Sequence, residues 1–86
     1  MTNVQWRIML GRARILATEL MQEELPKEFS NELERILKIT EDEDYINSTP
    51  KIYYEAPKLN LENINNEVKE KYENLLNEAK RFKSSN

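Results

Sequence analysis

The sequence contains no cysteine and no histidine. Without cysteine there is no disulfide, no thiolate nucleophile and no Cys-based zinc site. Without histidine the chain lacks the commonest general base and the commonest metal ligand. One glycine and three prolines are too few for a turn-rich β fold, so helices are the easier structure to build. A long hydrophobic run is missing as well. The apolar residues from Val4 to Met21 are interrupted by Arg7, Arg12 and Arg14, so neither a secretory leader nor a membrane span is expected. The expected location is cytoplasmic, and the absence of cysteine fits a reducing compartment.

What remains is 38% hydrophobic and 34% charged over 86 residues. That is polar for a globular chain but short of disordered, and it fits one small domain covering residues 1–86. A domain this short buries a small fraction of its unfolded surface, so a partner or a second copy would add useful burial.

The net charge of −3 hides a segregation. Residues 1–18 carry Arg7, Arg12 and Arg14 and no acid, for +3; residues 19–45 sum to −7, and residues 46–86 to +1. Such a chain either pairs head to middle within the fold or offers partners two faces of opposite sign.

Thr2 and Gln5 have capping-box spacing ahead of a first helix expected over about 3–24. Its apolar stripe runs Trp6, Met9, Ala13, Leu16, Leu20, widened by Ile8 and Ile15 on one side and by Leu10, Ala17 and Met21 on the other. This exceeds the stripe of an ordinary surface helix, so the helix should be covered from more than one direction. Gly11, Ala13 and Ala17 are small where the helix is otherwise bulky, which predicts close approach of another helix. Leu25-Pro26 ends the run. Pro26 suits the first position of a second helix over about 26–40, with Phe29, Leu33, Ile36 and Leu37 apolar. The short connection makes the two an antiparallel hairpin.

Residues 41–58 hold Pro50 and Pro57 around Ile52, Tyr53 and Tyr54. Two prolines predict an extended linker with its aromatics against the helices, or a short edge strand. A long C-terminal helix over about 60–83 follows, with Asn60 as N-cap and Leu59 and Ile64 as a hydrophobic staple. Its seam is Leu61, Ile64, Val68, Tyr72, Leu75, Ala79 and Phe82, and Glu67–Lys71 are spaced to pair. The fold class expected is all-α, with three helices.

Catalytic chemistry finds little to work with. Acidic pairs such as Glu24 and Glu28 need a pocket that splits their pKa values, and an exposed acidic helix does not provide one. The serines have no histidine to activate them. Glu41-Asp42-Glu43-Asp44 departs from a calcium loop, since Ile46 stands where the third donor belongs and Asn47 where the glycine belongs. Acids also sit poorly at a helix C-terminus, so this run has no evident stability role and invites a basic partner. No catalytic residue, cofactor or metal ligand is assigned, and an enzyme is not expected.

The expectation is a non-enzymatic protein-binding module: a small acidic inhibitor, antidote or regulatory adaptor. Its candidate contact residues are Trp6, Arg7, Arg14, Glu41, Asp42, Glu43, Asp44, Tyr53 and Tyr54. The partner would be a protein with a basic surface, or a second copy forming a homodimer. A nucleic-acid regulator using Arg7, Arg12 and Arg14 is the alternative, disfavoured by the sequence pI of about 5.1. A structural subunit of a larger assembly is the third. Abundant Asn, Lys, Ile and Glu is what an AT-rich genome yields, and with the small size it fits a phage or mobile-element accessory protein.

Overall fold

The computed structural model describes residues 3–84, with side chains over 4–44 and 46–81. The described residues form four helices and no strand: α1 (Asn3–Leu20), α2 (Lys27–Ile39), α3 (Tyr45–Tyr54) and α4 (Asn66–Ser84). The all-helical class is as expected, but there is a fourth helix where an extended linker or edge strand was anticipated. Thr2, of the capping box, and the Phe82 side chain lie outside the described part.

α1 packs against α2, α3 and α4, and α3 likewise packs against all three other helices; α1 buries Trp6, Met9, Leu10, Ala13, Ala17 and Leu20. It ends four residues earlier than expected. The N–H of Met21 still reaches Ala17, but those of Gln22 and Glu23 bond only three residues back, to Glu19 and Leu20. That is the tightening that closes a helix. α2 starts one residue after Pro26, which serves as the N-cap residue: its carbonyl accepts from the N–H groups of Phe29 (3.0 Å) and Ser30 (3.1 Å). Phe29, Glu32, Leu33 and Ile36 face inward.

α3 is the largest departure. Asp44 caps it, accepting from the backbone N–H of Asn47 at 3.2 Å and from its side-chain amide at 2.7 Å. Asp42 in turn accepts from the N–H of Asp44 at 2.9 Å. The acidic run thus stands at the start of a helix, where its charge suits the dipole. Pro50 lies inside α3 and forfeits one ladder bond, a loss the fold offsets by packing Thr49, Pro50 and Ile52 in the interior. Pro57 falls two residues beyond the C-cap Glu55, a usual place for proline to follow a helix.

α4 opens at Asn66 rather than near 60. Asn60 accepts only from Glu62 N–H, in a local turn, while Asn65 accepts from Glu67 N–H at 2.8 Å and is the effective cap. From there Val68, Tyr72, Leu75 and Ala79 are buried at steps of four, three and four. One hydrophobic cluster draws on all four helices, with Leu59 and Leu61 packed against it from the connection.

Candidate interaction surface

The most chemically loaded group in the molecule is a buried polar network. Glu32, whose side chain is fully buried, receives the Tyr72 hydroxyl at 2.5 Å and the Arg35 guanidinium through two hydrogen bonds. Arg35 also donates to the carbonyls of Lys51 (3.1 Å) and Ile52 (2.9 Å) in the last turn of α3. Burial first, and then the hydrogen bond to Glu32, push the Tyr72 phenol well above its ordinary range, so it stays protonated and donates. Each charged group faces a partner inside the fold. This network ties α2, α3 and α4 together. Among the described residues, no group of three or more acidic side chains is placed to hold a metal ion.

The sequence-derived contact residues fall in three different situations. Trp6 is buried, at 2% exposure, and belongs to the protein's own interior. Tyr53 is half-buried beneath Lys80, whose Nζ lies 5.5 Å from the ring centroid, while Tyr54 is about half exposed. Glu41, Asp42, Glu43 and Asp44 are exposed, but the carboxylates of Asp42 and Asp44 are engaged in capping α3. Arg7 and Arg14 are exposed on α1, Arg14 donating to Thr40 Oγ1 at 3.3 Å. They are therefore not gathered into one site.

A different surface emerges on the outer side of α1. Val4 is 63% exposed, Ile8 50% and Ile15 62%. With Gly11 they recur at steps of four, three and four, which places them on one face opposite the buried Ala13. A Cβ added at Gly11 would meet nothing within 4 Å. The close approach expected there does not occur within the fold; Ala13 and Ala17 supply it instead, both at 0% exposure. The over-wide apolar surface of α1 is thus covered on the Leu10–Ala17 flank and bare on the Ile8–Ile15 flank. Arg7 and Arg14 border the bare stripe on one side and Arg12 on the other, Arg12 paired with Glu78 of α4 at 2.7 Å. Beside Ile15, a groove of about 320 Å³ between α1 and α4 is lined by Leu16 and Leu75 together with Arg12, Glu19, Lys71 and Glu78.

Sequence reasoning named Ile8 and Ile15 as part of a wide stripe but not as its unprotected edge. Only the path of the other helices decides which flank is covered. No helix of the described residues is long and apolar enough to cross a membrane. No protein-family model, curated protein or solved structure matches the chain, so geometry carries the functional reading.

Proposed function

We propose that the protein is a non-enzymatic protein–protein interaction module, of the kind that serves as a small acidic inhibitor, antidote or regulatory adaptor. The observation that carries this reading is the two-sided apolarity of α1. α1 buries Met9, Ala13 and Leu20 on one side while presenting Val4, Ile8 and Ile15 to water on the other. Isolated exposed aliphatics are ordinary, but a stripe of them in register on one helix face marks a contact surface. The saturation of the Glu32–Arg35–Tyr72 network supports the non-enzymatic part, because the chain's best candidate for tuned acid–base chemistry already works as a structural tie.

The test compares wild type with an Ile8→Asp/Ile15→Asp variant as bait in extract from the native host. Wild type should retain a protein in near-stoichiometric amount, and the variant, with unchanged helical dichroism, should lose it. Equal capture by both would sink the reading. So would salt-sensitive retention of nucleic acid in place of protein, which would favour the arginine-based alternative.

A further inference from the structure

We infer that α3 is a strap that opens as a unit, its release freeing a cleft between α2 and α4 while α1, α2 and α4 stay folded. Position gives the first support. α3 packs against all three other helices and stands between α2 and α4, whose Cα atoms, among the described residues, nowhere come within 8 Å of one another. A helix seated between two others that lack backbone contact of their own fills a cleft.

The walls of that cleft are tied together without α3. The Tyr72 hydroxyl on Glu32 and the Tyr72 ring against Phe29 join α4 to α2. Arg12 and Glu78 join α1 to α4, and α1 packs directly against both α2 and α4. Of the polar network only Arg35 reaches α3, through the carbonyls of Lys51 and Ile52. On release it keeps Glu32 and exchanges those two carbonyls for water, to which its side chain is already 24% exposed.

α3 itself has little to hold it closed. Ile52 and Pro50 are buried, but Ile46 and Tyr54 are exposed. The rest of the buried face is Ser48 and Thr49, and the Ser48 hydroxyl has no hydrogen-bond partner, a cost that opening relieves. Pro50 has no N–H, so the Ile46 carbonyl lacks its usual helical donor. Lys51 is the one strong helix former between Tyr45 and Tyr54. Once Ile52 and the Arg35 bonds let go, the free segment is too short and too poor in helix formers to stay helical, so it leaves whole. Segments with few buried apolar contacts open below the free energy of global unfolding. The exposed stretch 41–44 and Glu55, Pro57 and Lys58 flank α3 as hinges.

Native-state hydrogen exchange of the full chain, followed by NMR at increasing sub-denaturing urea, tests this. The amides of Lys51, Ile52 and Tyr53 should share one protection factor, about tenfold or more below that of the slowest amides of α1 and α4. Their urea dependence should also be shared, and shallower than that of global unfolding, because the opening exposes less surface. Protection and slope equal to those of α1 and α4 would overturn the inference, since α3 would then open only with the whole protein. So would protection that varies from one α3 amide to the next without urea dependence, the mark of fraying. Ile52→Asp removes the main anchor. It should bring the α3 resonances to random-coil positions while those of α1, α2 and α4 stay dispersed. Loss of all four helices, or an α3 that stays protected in this variant, would overturn the inference as well.

Discussion

The hydroxyl of Tyr72 and the carboxylate of Glu32, 40 residues apart in sequence, meet at 2.5 Å inside the protein. Around them the Tyr72 ring tilts against Phe29, with centroids 5.1 Å apart. Arg35 then carries the connection to the C-terminal carbonyls of α3. A carboxylate buried in this way is tolerable only if its lone pairs are satisfied. Glu32 achieves this with donors from α2 and α4. The network orients three helices relative to one another and specifies where α3 ends.

Tyr72→Phe removes the phenolic donor and leaves the buried Glu32 oxygen without it. The expected cost is about 1–3 kcal/mol in chemical denaturation. Glu32→Gln should also destabilise, and the double variant should cost less than the sum, because the two residues are in direct contact. The raised phenol pKa adds a pH signature. A group with a folded pKa above its ordinary 10.0 contributes stability that is complete below that value and declines as pH rises through it. Stability should therefore fall at alkaline pH more steeply in wild type than in Tyr72→Phe. Equal slopes would show that the folded protein does not raise the phenol's pKa.

The placement of α3 in the core makes a separate prediction. Ile52 is fully buried, at 0% exposure, so Ile52→Ala should cost about 2–5 kcal/mol, as a truncation in a packed interior does. If residues 45–54 were an adaptable linker, the loss would be a fraction of this. Ser48 provides the opposite control. Its hydroxyl is buried with no hydrogen-bond partner, so Ser48→Ala should leave the thermal midpoint unchanged or raise it.

The contrast between these elements shows what was legible in the sequence. The apolar periods of α1, α2 and α4 identify those helices, because 3.6-residue repetition survives whatever the tertiary context. α3 was hidden by Pro50, which argues against a helix locally, although packing of Thr49 and Ile52 overrides it. A signal was present: Asp44 three residues before Asn47 and Pro57 two residues after Glu55 are a cap and a stop around a short helix. Similarly, Asn60 and Asn65 are equal candidates as caps by residue type, and only Leu59 and Leu61 packing against the core holds the first in a connection. The bare stripe of α1 was half visible. Periodicity revealed an excess of apolar surface but not which flank the neighbouring helices would leave open.

Capping by Asp44 depends on its ionisation. Its hydrogen bonds from the Asn47 side chain and backbone hold its pKa below the ordinary 3.8. A depressed carboxylate pKa contributes stability present above the ordinary value and lost as pH falls through the folded one. Hydrogen-exchange protection in the first turn of α3 should therefore decline as pH drops below about 3.8. Asp44→Ala should show that reduced protection already at neutral pH, with α1 and α4 unaffected. Protection independent of both pH and the substitution would mean that packing alone sets the start of α3.

Gly11 separates stability from function most cleanly. It lies in mid-helix, where glycine is less favourable than alanine by about 1 kcal/mol, and its surroundings are open. Gly11→Ala should thus stabilise the free protein, raising the thermal midpoint by about 5 °C. No contact within the fold needs the glycine, since the close packing of α1 takes place at Ala13 and Ala17 on its other side. A residue that costs the isolated domain stability and yields it no packing is understandable if the benefit arises in a complex. The same substitution should accordingly weaken partner capture while making the domain more stable. If Gly11→Ala left capture unchanged at higher stability, the glycine would have no part in partner contact, which would then run through Val4, Ile8 and Ile15 alone.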